Sequence, residues 1–187
     1  MSDQKDLEAA WQTVIDRLGY DGTDPHLVGS PRRVAKFLTE WHTLDKQPPS
    51  LTCFPLKPGE VDEIVSVGGI KFYSLCAHHG LPFFGKVSIG YLPGDRLVGL
   101  SKFARVVHHF ANRFQTQELM TKQIADYLEE HLEPRAIGVV ASARHLCMEM
   151  RGVRSEAVTT TSDMRGLFRN VAHAKQELIS LLGRTHE

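Results

Sequence analysis

Residues 85–92 read Gly-Lys-Val-Ser-Ile-Gly-Tyr-Leu, and Val87, Ile89 and Tyr91 alternate there with Lys86, Ser88 and Gly90. A period of two is the mark of a strand with one apolar face, and Pro93-Gly94-Asp95 stops it with turn residues. Upstream, Ile64 to Leu75 is rich in β-branched and aromatic residues and is interrupted by Gly68-Gly69, as in a strand that carries a bulge. The two segments predict an antiparallel pair. Downstream, Ser101 predicts the cap of a helix with Phe103, Val106, Val107 and Phe110 on one side. Thr116 predicts the cap of another, with Met120, Ile124, Tyr127 and Leu128 inward. Ala136 to Met150 and Glu156 to Ser162 predict a second strand pair, and Asn170 caps a last helix that runs through Leu182. The order ββααββ places the chain in the α+β class. Tyr91 and Phe110 read as core periodicity, and His108-His109 reads as an exposed helical pair.

Two helices are predicted before this body. Leu7, Trp11, Val14, Ile15 and Leu18 recur at helical spacing up to Gly19, and Ser30-Pro31 offers a cap and first-turn start for a helix with Val34, Phe37, Leu38 and Trp41 inward. Leu44 to Glu60, with Pro48-Pro49, Pro55 and Pro58, reads as an extended linker, because proline fixes φ and removes ladder donors. The expected organisation is a helical extension and linker over 1–60 and a main domain over 61–187.

At 187 residues and 42% hydrophobic content the chain can bury one good core. Lys+Arg and Asp+Glu both number 22, so no global field draws nucleic acid or an anionic membrane, and an anion must be held by a local cluster. The opening Met1-Ser-Asp-Gln-Lys-Asp lacks a signal-peptide profile and no apolar run approaches membrane-spanning length, which gives a cytoplasmic expectation. In that reducing compartment Cys53, Cys76 and Cys147 are not expected to form disulfides. Cys53, beside Phe54 and Pro55, reads as a small buried hydrophobe.

The other two cysteines have histidine neighbours. Leu75-Cys-Ala-His-His-Gly80 sets Cys76 and His79 at C-x-x-H spacing, able to turn two ligands onto one ion. If Ile137 to Arg151 is one strand, His145, Cys147, Glu149 and Arg151 share a face and Cys147 becomes a third ligand. Two thiols and an imidazole suit Zn²⁺ with an open fourth position, the catalytic arrangement. A closed structural zinc is the competing reading, since His78 or His145 could supply a fourth ligand.

Several separated motifs then resemble the GTP cyclohydrolase I family. They are Cys76-Ala-His-His, Gly99-Leu-Ser-Lys-Phe-Ala-Arg105, Gln115-Thr-Gln-Glu118, His145-Leu-Cys147 with Arg151-Gly152, and Thr159-Thr-Thr-Ser162 with Gly166-Leu-Phe168, with Ser30-Pro-Arg-Arg33 extending the likeness toward the N-terminus. The resemblance implies the tunnelling fold, an antiparallel sheet with helices on one face whose subunits close into a toroid, usually a homodecamer with sites between subunits. It implies conversion of GTP to 7,8-dihydroneopterin triphosphate with release of formate. Zinc on Cys76, His79 and Cys147 would activate water for attack at C8 of the purine. His78 and His145 would carry the proton transfers, and Glu118 with Gln117 would read the guanine edge. Ser101, Lys102, Arg105 and Arg151, with Arg33 from a neighbouring subunit, would hold the sugar and triphosphate. Taken singly, Lys102, Arg105 and Arg33 read more readily as solvated cations, and Gln117 and Glu118 as first-turn residues favoured by the helix dipole. Two positions depart from the family pattern: Ala77 stands where Glu is usual, and Leu119 where Arg is usual. The alternatives are a variant that stops at a ring-opened intermediate or takes another guanine nucleotide, and a non-catalytic zinc-containing nucleotide- or pterin-binding homologue.

Overall fold

The computed structural model of the chain describes residues 2–57 and 59–183, and it divides into two compact units, Met1–Asp45 and Lys46–Glu187. In the first, α1 (Ser2–Arg17) and α2 (Ser30–Trp41) form a helical pair. Gly19, at φ 82°, ends the first helix as its sequence predicts. The cap of α2 is Gly29, with no side-chain capping bond, and Ser30 already lies within the helix ahead of Pro31. Ile15, Pro31 and Ala35 are buried, whereas Leu7, Trp11, Val14, Leu18 and Phe37 are not. Periodicity therefore found the helices but overcounted their inward faces, since one seam between two short helices covers few side chains.

The second unit begins earlier than the expected boundary after Glu60, because the proline-rich stretch is tied into it. There β1 (Cys53–Pro55) pairs antiparallel with β4 (Arg96–Val98), Gly99 N donates to Thr52 O at 2.9 Å, and Tyr127 Oη donates to Pro49 O at 2.8 Å. Cys53 is half-buried against the core rather than fully enclosed.

The main sheet is built from β2 (Val65–Cys76), β3 (Pro82–Leu92), β5 (Phe114–Gln115), β6 (Ala136–His145) and β7 (Val158–Gly166), in the order β5-β2-β3-β6-β7. Every pairing is antiparallel except the short β2–β5 ladder. The Gly68-Gly69 interruption is a register shift between Val67 and Ile70. Past that shift, Ile70, Phe72, Ser74 and Cys76 fall on the face that also carries Phe83, Val87, Ile89 and Tyr91 of β3 and the odd-numbered residues of β6. Against this face lie α3 (Ser101–Ala111) and α4 (Gln117–Leu132), through Phe103, Val106 and Val107 and through Met120, Ile124 and Leu128. Thr116 caps α4 as expected, its hydroxyl accepting from Leu119 N at 3.3 Å. The cap of α3 is Leu100, and Ser101 stands inside the first turn without a side-chain capping bond.

Helices cover the other face too, which corrects the expectation of helices on one face alone. After α5 (Leu146–Glu149) and α6 (Leu167–Asn170), α7 (Ala172–Gly183) lies across Gly90 and Gly138, where a Cβ would come within 2.2 Å and 2.4 Å of Leu178. A second core of Leu92, Ala136, Phe168, Leu178 and Leu182 forms there. Asn170 ends α6 rather than capping the last helix. Arg165 fastens β7 to α4, reaching Asp126 at 2.6 Å and Glu129 at 2.7 Å beside its own-strand partner Asp163 at 2.9 Å. No helix among the described residues is long and apolar enough to cross a membrane.

The expected exposed histidine pair is split. His108 is exposed, with Nε2 3.1 Å from Lys71 O, while His109 is buried at 8% exposure. Tyr91 is core, as expected, and Phe110 is partly buried against it.

Two stability predictions follow from this packing. At Gly85 a Cβ would stand 1.9 Å from Ser142 O and 2.7 Å from Ala143 Cα, both backbone of the neighbouring strand. Gly85→Ala should destabilise the second unit by about 3 kcal/mol, the upper end for overpacking, read from urea denaturation midpoints. At His109, burial and then the charge of Arg113 hold the imidazole below its ordinary value. The unfolded chain therefore takes up a proton first as pH falls below ~6.5, and stability is lost from there downward. His109→Gln should flatten that loss below about pH 6.5; an equally steep curve in the variant would rule out a contribution from this histidine.

Candidate metal centre and active site

Cys76 is the last residue of β2, and the chain turns sharply after it. Its carbonyl accepts from His79 N at 3.3 Å and Gly80 N at 2.9 Å, and its N–H donates to Leu81 O at 2.8 Å. Gly80 closes the turn at φ 67°, a conformation that an L side chain rarely adopts. The outer flank is clamped by the segment around β5: Leu75 N donates to Arg113 O at 3.3 Å, Ser74 Oγ to the same carbonyl at 3.1 Å, and Ala77 N to Gln115 O at 3.0 Å. Within this turn Cys76 Sγ lies 3.7 Å from His79 Nδ1 and 3.9 Å from His78 Nδ1, while the two rings stand edge-on, 6.2 Å apart at 81°. Both imidazoles thus bring Nδ1 near the Cys76 sulfur, with their planes crossed.

Cys147 arrives by a different route from the one its sequence suggests. The strand ends at His145 and the chain turns into α5, so His145, Cys147, Glu149 and Arg151 do not alternate along one strand. Glu149 is turned back onto Arg144, whose Nε and Nη2 donate to it at 2.9 Å and 2.6 Å. The strand reading failed because this one-turn helix is too short to impose a helical period. Cys147 nonetheless reaches the others: the ligand atoms of Cys76, His79 and Cys147 all lie within 4.8 Å of one another. Zinc–sulfur and zinc–nitrogen bonds in a tetrahedral site put such atoms ~3.6–3.8 Å apart, so a small contraction brings all three onto one ion. Two soft sulfurs and one imidazole are a donor set for a borderline-soft divalent metal. All three cysteines are free thiols. Burial, and after it the neighbouring Cys76 thiol, pushes Cys147 above its ordinary value, and the charge of Arg151 opposes this.

His145 is held on two sides. Its ring stacks on Phe83 with centroids 4.8 Å apart and planes at 1°, and its Nε2 lies 2.8 Å from Gln117 Oε1. Burial lowers its pKa, and the carboxylates of Glu118 and Glu149 pull the other way. Gln117, 1% exposed, is anchored beneath: its Nε2 donates to Ala141 O at 2.9 Å and Thr159 O at 3.0 Å and lies 3.2 Å from Thr161 Oγ1. Thr121 Oγ1 donates to Gln117 O at 2.8 Å and lies 2.6 Å from Thr161 Oγ1.

The remaining predicted site residues fall into three groups. Glu118 is exposed at the lip of a cavity of about 260 Å³ with Thr121, Lys122, Thr161, Ser162 and Asp163. Glu118 and Arg151 lie near enough to act electrostatically on His145 and Cys147 respectively. Ser101, Lys102 and Arg105 occupy the start of α3, and Arg33 stands exposed in the first compact unit. Ala77 and Leu119 are both exposed. Sequence reading missed Phe83, Thr121 and Thr161, which position His145 and Gln117. Only the threonine run carried a signal, and its meaning depends on strand register.

The ligand geometry predicts separable defects. Cys76→Ser, His79→Ser and Cys147→Ser should each reduce bound metal from about one ion per chain to a small fraction, measured by atomic absorption, whereas His78→Ala should keep it. Metal loss in the His78 variant alone would exchange the roles of the two histidines.

Comparison with known proteins agrees with this layout. The family model for GTP cyclohydrolase I matches residues 7–183. "GTP cyclohydrolase 1" of Wolinella succinogenes is 44% identical over 185 residues, spanning 96% of this chain and 97% of that one. Its counterparts from Sulfurihydrogenibium sp. and Aquifex aeolicus are 41% and 42% identical, each over 96% of this chain and over 95% and 97% of theirs. A crystal structure of the archaeosine synthase QueF-Like in the apo form covers 54% of this chain and 92% of that one at TM-score 0.41 and 14% identity, a likeness too slight to add to the fold. With nearly the whole length matched, and with two thiols and an imidazole gathered at one end of the sheet, the chain belongs to the GTP cyclohydrolase I family.

Proposed function

We infer that the chain opens the imidazole ring of GTP at C8, releases formate and rearranges the remainder to 7,8-dihydroneopterin triphosphate, the entry to pterin and folate synthesis. The observation that carries this reading is the convergence of Cys76, His79 and Cys147 in a chain of this family. Their donor set suits Zn²⁺, which when bound supplies Lewis-acid activation of water beside the purine. Around it the protein's own groups divide the work. His78, exposed beside Cys76 with its ring plane crossed against that of His79, is the first proton-handling group. His145, fixed by Phe83 and Gln117, is the second proton-handling group.

Glu118 accepts the N1 and N2 protons of guanine, which selects guanine over adenine by hydrogen-bond polarity. Ser101, Lys102, Arg105 and Arg151 hold the sugar and triphosphate through side chains, with Arg33 contributed by a neighbouring copy. One feature of the single chain supports that division: Glu118 lies open at a cavity lip, which leaves that side of the base for a second copy to enclose. We assign the subunit to the tunnelling fold and its assembly to a toroidal homodecamer in the cytoplasm, with the nine-residue strand β7 as an exposed lateral edge of the sheet. Ala77 and Leu119 are not among the three ligand residues, and the likeness to GTP cyclohydrolases along nearly the whole chain favours the complete reaction over one that stops early or over mere binding.

Incubation with GTP should yield formate and pterin fluorescence in equal amounts. Formate without pterin identifies the truncated reaction, and neither product identifies a binder. Glu118→Ala should lower kcat/KM on the order of 10²-fold, about 3 kcal/mol for loss of a doubly accepting carboxylate, with metal content unchanged. Near-normal turnover in that variant would remove Glu118 from base recognition.

A further inference from the structure

We propose that Gln117 is a positioning residue that fixes His145 as the Nε2–H tautomer, so that Nδ1 carries the lone pair that meets the reacting molecule. The orientation of the Gln117 amide follows from its neighbours. One end faces Ala141 O, Thr159 O and Thr161 Oγ1 at 2.9, 3.0 and 3.2 Å. Two of these are backbone carbonyls, which only accept, so that end is the NH₂ group. The hydroxyls agree with it. Thr121 spends its single hydrogen on Gln117 O at 2.8 Å, so the 2.6 Å contact between Thr121 and Thr161 is donated by Thr161, whose oxygen then faces the NH₂ group with lone pairs rather than a hydrogen.

The other end of the amide is then the oxygen, 2.8 Å from His145 Nε2. An amide oxygen cannot donate, so the hydrogen in that bond belongs to His145. A neutral imidazole carries one N–H, and Nδ1 is therefore the unprotonated nitrogen. Rotating the amide by half a turn would set its oxygen against two carbonyl oxygens, one on the fully buried Ala141 and one on the half-buried Thr159, a repulsive contact with no hydrogen between the partners. The Phe83 stack, at 1° between planes, holds the ring from turning over. Among the described residues no hydrogen-bond partner occupies Nδ1 of His145.

The consequence reaches the reaction proposed above, and rests on it only for what Nδ1 does during turnover. His145 begins as a base at Nδ1: a proton leaving the substrate adds there, and Gln117 Oε1 continues to accept from Nε2–H in the imidazolium that results. Gln117, expected from its neighbour Glu118 to touch guanine, is committed instead to the ring beneath the base, since both ends of its amide are already bonded and it is 1% exposed.

Solid-state ¹⁵N NMR of histidine-labelled full-length protein without GTP, at about pH 8, reads the tautomer directly, with His145 identified by difference against His145→Gln. The wild type should show Nε2 as the N–H nitrogen and Nδ1 as the lone-pair nitrogen. Gln117→Met, similar in size but with no acceptor for the ring, should divide the signal between tautomers or move it to Nδ1–H. Its kcat should fall on the order of 10²-fold, the lower range for a positioned acid or base, with KM for GTP nearly unchanged. Thr161→Ser, which keeps the hydroxyl, should keep the wild-type spectrum. An Nδ1–H tautomer in the wild type, or a Gln117→Met spectrum identical to it, would overturn the proposal, as would a raised KM with undiminished kcat. Should Gln117→Met fail to fold, the wild-type spectrum still decides the tautomer. Because the spectrum needs no substrate, failure of the proposed reaction would show separately, as absence of products with the tautomer intact.

Discussion

The register of β3 against its two neighbours is the constraint on which the site depends. Leu75 pairs with Pro82 on one side and Phe83 with His145 on the other, so the end of β2 and the end of β6 arrive at the same edge of the sheet with one strand between them. Two strand spacings are ~10 Å, a gap that a sharp turn after Cys76 and a one-turn helix after His145 can close. A slip of one residue between β3 and β6 would bring Arg144 opposite Phe83 and send His145 to the other face. Tight contacts guard against that slip: Gly85 leaves no room for a Cβ beside Ser142 O, and Leu178 sits over Gly90 and Gly138.

Much of the scaffold was legible because it is written in local periodicity. The alternation over Gly85–Leu92, the glycine interruption before Ile70 and the Thr116 cap all appear where their residues predict them. Short elements were not legible. The strands Cys53–Pro55, Arg96–Val98 and Phe114–Gln115 and the helix Leu146–Glu149 are two to four residues long, too few to show a period, and they form because partners distant in the chain accept them. The candidate metal ligands were legible as a thiol–imidazole pair and a lone thiol, but the strand that was to deliver the third had already ended. Gln117 is the clearest case of a residue whose type and place were readable while its contacts were not. Its partners Ala141, Thr159 and Thr161 are set by the pairing of two strands far along the chain.

The site is layered by exposure. Beneath lies a buried polar network of Gln117, Thr121 and Thr161 with satisfied bonds, and above it stand His78, His79 and Glu118, all open to solvent in the single chain. The lower layer has little conformational freedom to lose when a substrate arrives, because its groups are already ordered by folding. The upper layer stays accessible. Such an arrangement lets one chain supply rigid chemistry while leaving the walls of the pocket to whatever encloses it.

Cys76 and Cys147 belong to opposite halves of the chain, and the path between them runs through two helices and four strands. A metal cannot gather such ligands early, because closing so long a loop before the sheet pairs would forfeit chain entropy with little return. Ion capture therefore comes late in the life of each molecule, after the β2–β3–β6 ladder has brought the two ends together. A chain made while the ion is scarce can fold first and wait, unlike small zinc modules whose folding and metal binding are one event. Metal supply then governs how many molecules are loaded, and translation and folding govern how many exist.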